Sequence, residues 1–159
     1  MFNPGSDLTA IQRLLVDDEK LMTLMNLTGE EMDLKINEYI RQNPGTDSEV
    51  AKNIILSERI LKRSDWDGLA TNEKRLCIYF IPDRGLRNEN FLQANYEIDI
   101  HVPNSQSMVA WDIQKRVKKL MHKKKINKRY VYFNGQLGEL PTMTGFFCCG
   151  SRYNFSRVI

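Results

Sequence analysis

Only three of the 159 residues are cysteine and two are histidine. Cys148 and Cys149 are adjacent and Cys77 stands alone in an apolar run, which excludes a disulfide framework and predicts a reducing compartment, the cytoplasm. His101 and His122 have no partner at metal-ligand spacing, so no metal site is expected. Nine glycines and five prolines are too few for a collagen-like or Pro/Gly-rich disordered chain. Apolar runs such as 77–82 and 145–150 fall far short of the ~20 residues that cross a bilayer. The first ten residues lack the basic and apolar regions of a signal peptide, which predicts a soluble, non-exported protein.

The chain is 42% hydrophobic, with seven Phe, six Tyr and two Trp, enough apolar side chain for one compact domain. A net charge of +3 conceals a split. Residues 115–129 hold nine Lys or Arg and no acid, so the remainder carries 14 basic against 20 acidic residues, a net of −6.

Residues 1–59 read as a helical region. Leu8, Ile11, Leu14 and Leu15 recur at helical spacing behind a cap at Ser6 or Asp7, and Leu21, Leu24 and Met25 repeat the spacing after an acidic break. Thr28-Gly29-Glu30-Glu31 has the order of a capping box ahead of Met32, Ile36, Tyr39 and Ile40, and Asn43-Pro44-Gly45 ends that helix. Residues 48–62 fit a short helix capped by Asp47 or Ser48, or an extended apolar segment around Asn53 to Leu56 leading into Ile60 and Leu61, and helix or loop is the favoured reading.

Residues 60–159 read as an α+β domain. Residues 76–81 are apolar on both strand faces, as in a strand covered on both sides, and Pro82-Asp83-Arg84-Gly85 supplies a turn. Tyr96, Ile98, Ile100 and Val102 then alternate with Glu97, Asp99 and His101, the mark of a half-buried strand, and the short link predicts antiparallel pairing. Behind Ser105 or Ser107 as cap, Val109, Ala110, Ile113, Val117, Leu120 and Met121 form one helical apolar stripe, with Trp111 off it. Two further apolar segments, 146–149 and 153–159, follow Tyr130, Val131, Tyr132, Phe133 and a turn-like Asn134-Gly135. The order is ββαββ: an antiparallel sheet with a packed amphipathic helix, preceded by short helices.

No enzyme signature emerges. The carboxylate pairs Asp17/Asp18, Glu30/Glu31, Asp65/Asp67 and Glu97/Asp99 read as solvated surface, His101 as solvated or locally hydrogen-bonded, and the cysteines as small core residues. The glycines around Asn134-Gly135-Gln136-Leu137-Gly138 match neither a P-loop nor a dinucleotide fingerprint. The tract 115–129 remains. Its cations serve as a solvated face, as contacts to nucleic-acid phosphates with Tyr130 and Tyr132 stacking on bases, or as a face complementary to the acidic remainder of a second copy.

Arg75-Leu76-Cys77-Ile78-Tyr79-Phe80-Ile81-Pro82-Asp83-Arg84, then Tyr96-Glu97-Ile98-Asp99-Ile100-His101-Val102-Pro103, the helix over 108–123 and two closing strands resemble the neck proteins of tailed bacteriophages: tail terminators, tail completion and head-tail joining proteins. Ile60-Leu61-Lys62-Arg63-Ser64-Asp65-Trp66-Asp67-Gly68-Leu69 is similar to a feature of the Gram-positive phage versions. The resemblance covers residues 60–159. It implies a structural virion protein without catalysis or cofactor, made in the host cytoplasm. Such a protein forms a ring, commonly a hexamer, between head connector or stopper and tail tube, with DNA passing through. On that reading Lys115, Lys118, Lys119, Lys123, Lys124, Lys125, Lys128 and Arg129 form a charged face for subunits, neighbouring rings or lumenal DNA. Trp111 and the segment 136–144, with Gln136, Leu137 and Pro141, are the expected anchors outside the core.

Overall fold

The computed structural model describes residues 3–81 and 91–158. Helices α1 (Pro4–Val16), α2 (Glu19–Leu24), α3 (Gly29–Gln42) and α4 (Ser48–Arg59) come first. The cap of α1 is Asn3, whose side chain accepts from the N–H groups of Gly5 and Ser6, rather than Ser6 or Asp7. Pro4 at the first helical position explains the early start, since it needs no hydrogen-bond partner there and its φ is already helical. Asp7 is consequently carried into the helix body and buried. Thr28 stands at the cap of α3 without a side-chain cap bond, because Gly29 enters at φ 56° and the Thr28 hydroxyl turns to Thr23. Asp47 caps α4 through the Glu49 N–H at 2.8 Å, which settles residues 48–59 as helix.

The chain is an α+β protein built on a mixed six-stranded sheet, in the order β1-β2-β3-β6-β5-β4. Its strands are β1 (Ile60–Leu61), β2 (Arg75–Ile81), β3 (Phe91–Pro103), β4 (Lys125–Ile126), β5 (Arg129–Leu137) and β6 (Phe146–Val158). A turn of 3₁₀ helix, Asn104–Gln106, leads into α5 (Ser107–Met121), which has no side-chain cap at Ser105 or Ser107. β1 runs parallel to β2 and all other pairs are antiparallel, including β2 with β3, where Ile78 faces Ile98.

Two expectations are corrected here. The described residues of the segments 146–149 and 153–159 belong to one long strand, Phe146–Val158, and Asn134-Gly135 lies inside β5 as a register shift between Phe133 and Gly135 instead of a turn. Pairing along the full length of β6 outweighs the local turn preference of the Asn-Gly pair. The expected turn at Pro82-Asp83-Arg84-Gly85 lies outside the described residues.

One face of the sheet carries Ile78, Tyr96, Ile98, Ile100, Cys149, Tyr153 and Phe155 against α5, α1 and α2 in a continuous apolar cluster. The α5 stripe of Ala110, Ile113, Val117 and Met121 is wholly buried in it, as are Ile11, Leu15 and Leu21 from the first two helices. Each such aliphatic side chain removed from water contributes about 1.5–3 kcal/mol.

Polar ties fix the helices on this sheet. The buried Lys74 donates from Nζ to the Leu24 carbonyl at 2.9 Å and to Asn26, closing the end of α2. Arg116 of α5 holds Asp18 in a two-pronged bond of 2.6 and 2.8 Å, and that guanidinium draws the Asp18 carboxyl below its usual range. Asp7 meets Tyr96, Asn127 and Arg129.

Candidate functional site

The basic tract runs along the outer side of α5, round its C-terminal turn and into the β4–β5 hairpin. Ile126 pairs with Arg129, so Asn127 and Lys128 form a two-residue loop, at φ 50° and 67°. Positive φ at both central residues is the type I′ geometry that matches strand twist. The hairpin signal in the sequence is weak, because Lys rarely occupies the left-handed region and Gly is absent here. Lys123 also takes a positive φ, of 64°, and exchanges backbone hydrogen bonds with Val131 together with Lys124. His122 accepts from the Phe133 N–H at 3.0 Å through Nδ1, so the turn covers the outer edge of β5.

The expected site residues divide into three groups. Lys115, Lys119, Lys123, Lys124, Lys125 and Lys128 are exposed and make no ion pair among the described residues. Lys118 lies over the Phe133 ring, 4.2 Å from its centroid, and Lys125 stands 5.9 Å from that of Tyr130. Arg129 is engaged internally, paired with the buried Asp7 and stacked 5.0 Å from the Phe155 ring. Its charge is therefore spent on the fold.

Tyr130 and Tyr132 project from β5 with about half their surface in solvent, at 53% and 45%. Trp111 is half-buried, edge-on to Phe147 at 5.7 Å, and joins the margin of the core. Gln136 and Pro141 are exposed and Leu137 is half-buried. The segment after β5 folds back on the sheet, where the Leu140 N–H reaches the Cys148 carbonyl and Thr142 Oγ1 lies 2.9 Å from His101 Nδ1.

The opposite face of the sheet overturns the solvated reading of Glu97, Asp99 and His101, all of which are buried. Arg75 donates to the Asp65 and Asp67 carbonyls at 3.1 and 3.0 Å, drawing that turn over β2, and Trp66 lies 6.1 Å from the His101 ring. With Leu140 and Thr142 from the other side, these segments close over polar residues whose alternation signalled solvent. Register places Cys77, Asp99 and Gly150 in one row and Tyr79, Glu97 and Arg152 in the next.

The Tyr79 hydroxyl bridges Glu97 and Asp99, 2.8 Å from Asp99 Oδ2, and Arg152 donates to Glu97 Oε1 at 2.9 Å. Burial, then the adjoining Glu97, raises Asp99 to about 8. For Glu97, burial acts upward but the bonds from Asp99, Tyr79 and Arg152 prevail and hold it low. The pair therefore shares one proton and one negative charge at neutral pH. Burial and the Arg75 charge lower His101 to about 4, so it is neutral. Its neighbours Cys77 and Cys148 are raised by burial, Cys77 to about 11.

No group of His, Cys, Asp and Glu among the described residues is arranged to hold a metal ion, and no helix among them is long and apolar enough to cross a membrane. Among the described residues, unpaired charge gathers most on two open surfaces: the lysine-rich side of α5 with its hairpin, and a groove between α2 and the α3–α4 pair. Comparison with known protein families and with curated proteins finds no match for this chain.

Proposed function

We propose that this chain is a structural protein of the bacteriophage neck, one subunit of a ring that joins the head connector or stopper to the tail tube. The order of elements over residues 60–159 supports it: strand, alternating strand, amphipathic helix and closing strands. In this reading they form a ββαββ ring-building unit on which β1 and β4 are marginal additions. The observation that carries the reading is the segregation of exposed charge on a tightly braced body, with six unpaired lysines on one flank and unpaired carboxylates on another. Such polarity suits subunits that meet repeatedly in one orientation. The reading places the protein in the virion neck, expects a homo-oligomer, commonly a hexamer, with some lysines facing DNA in the lumen, and assigns no catalysis or cofactor. A map of the phage particle tests it: a ring of this chain between portal and tail supports the reading, and its absence from the neck overturns it.

Exposed Tyr130 and Tyr132 beside Lys125 and Lys128 favour a second reading, a small nucleic-acid-binding module. It requires salt-sensitive binding by the isolated protein that is abolished by charge reversal at Lys123, Lys124 and Lys125. Binding that persists after reversal removes it.

A further inference from the structure

The acidic counterpart of the lysine face has a definite shape. A groove of about 690 Å³ runs between α2 and the α3–α4 pair, floored by Met22, Leu27, Met32 and Leu56. Asp17, Glu19, Asp33 and Glu49 stand around it against a single lining cation, the half-buried Lys52, and none of the four has an ion pair among the described residues. The cleft on the other flank of α3 is also acidic, but three of its four carboxylates are engaged, Glu38 with Arg41, Glu58 with Arg75 and Glu73 with Arg59, and only Glu31 has no ion pair among the described residues. The first groove therefore holds the larger share of free negative charge around an apolar floor.

The free positive charge lies across the molecule. The hairpin lies at the start of α1, where Asn127 and Arg129 meet Asp7, whereas Val16 at the end of the same helix lines the groove, so most of the length of α1 separates the two surfaces. The two surfaces are thus kept apart within a single copy. The hairpin combines what the groove lacks: exposed cations at Lys124, Lys125 and Lys128, and Tyr130, an aromatic more than half exposed. Tyrosine is a common anchor at interfaces because it buries a large rigid surface at little entropic cost.

We propose that the groove between α2 and the α3–α4 pair receives the β4–β5 hairpin of a second copy of this chain, with Tyr130 over the apolar floor and the hairpin lysines against the acidic rim. Each copy has one hairpin and one groove, so the contact is head-to-tail and closes into a ring when the rotation allows. The inference deepens the ring reading above and rests on it for closure; the contact itself rests on charge and shape.

Sedimentation velocity on the full chain in about 50 mM salt, where charged contacts are weakly screened, tests it. The wild type is expected to self-associate. Asp33→Lys with Glu49→Lys, and separately Lys124→Glu with Lys128→Glu, are each expected to weaken association at least about ten-fold, while the two variants mixed restore it. All four positions are exposed, and circular dichroism checks that both variants are folded. A wild type that stays monomeric at about 100 μM overturns the proposal. So do variants that assemble as the wild type does, or a mixture no better than its components. Rings that persist in both variants remove this interface and leave the ring reading standing, since that reading is decided by the particle map.

Discussion

Asp7 in the first turn of α1 and Arg129 at the start of β5 form an ion pair across 122 residues of sequence, with the carboxylate side chain 2% exposed. Tyr96 and Asn127 complete the surroundings of that carboxylate, so a single side chain ties the first helix, the central strand and the hairpin together. Removing it leaves the partly buried Arg129 without its counter-ion, which costs more than the pair itself is worth. Asp7→Ala is expected to lose about 3–5 kcal/mol in urea unfolding. Asp7→Asn, which keeps an acceptor, is expected to lose less.

Gly150 sits opposite Asp99 on β6 because nothing larger fits there. A Cβ at this position would lie 2.5 Å from Asp99 Oδ1, 3.1 Å from the Leu140 side chain and 3.3 Å from the Ile98 carbonyl. The last of these is backbone and cannot rotate away. Gly150→Ala is therefore expected to destabilise by about 1–3 kcal/mol despite the usual strand preference against glycine. Thermal unfolding reads the change directly.

The shared proton of Asp99 and Glu97 gives stability a defined dependence on pH. Asp99 is raised from 3.8 to about 8 in the fold, so its contribution is fully present below about 4 and is lost as pH rises through 8. Across that window the unfolded chain has already released the proton that the folded chain retains. The slope approaches a loss of about 1.4 kcal/mol per pH unit, opposed only by groups titrating the other way. Glu97, held low, does so below its ordinary 4.5, and His101, lowered from 6.5 to about 4, does so between those two values and offsets much of the Asp99 slope there. Asp99→Asn preserves shape and a donor to Glu97, and is expected to flatten the curve from about pH 6.5 to 8, above the range in which His101 titrates. Urea midpoints measured across that range for the two proteins decide it.

The parts of this structure governed by local periodicity could be read directly from the residues. The α5 stripe and the alternation of β3 are set by which side chains recur every three to four or every two positions, and both elements occur where those periods run. The burial of Glu97, Asp99 and His101 had no such mark. It depends on residues 65–67 and 140–142 folding over a polar face, drawn there by Arg75 and Thr142 from distant positions. The basic tract was plain as a run of charge, yet the engagement of Arg116 and Arg129 with Asp18 and Asp7 required the first helices to be placed.

The three thiols are free but buried. Burial raises all of them, Cys77 to about 11 and Cys149 to about 12, with Cys148 raised as well, so thiolate is scarce at neutral pH and reagents cannot reach it. The folded protein is expected to leave all three unmodified by a disulfide reagent at pH 7.5, close to the reagent's usual working range, over about an hour. In denaturant all three should react. Rapid modification of a native thiol would show local opening of the sheet.

Among the four leading helices, α3 is the one with least holding it down. Met32 is its single fully buried side chain, Leu34 is 69% exposed, and its main packing partner is α4. Acidic clefts flank it on both sides. Local stability follows buried apolar contact, so α3 amides are expected to exchange with deuterium much sooner than those of α5, whose stripe is wholly buried. Seating a neighbour's hairpin on Met32 and Asp33 adds that missing contact. Amides of α3 should therefore slow markedly in the associated protein while those of α5 stay unchanged, and the Asp33→Lys/Glu49→Lys variant should retain fast exchange at every concentration. Equal protection of α3 and α5 in the dilute protein would contradict the packing argument, whatever the oligomeric state.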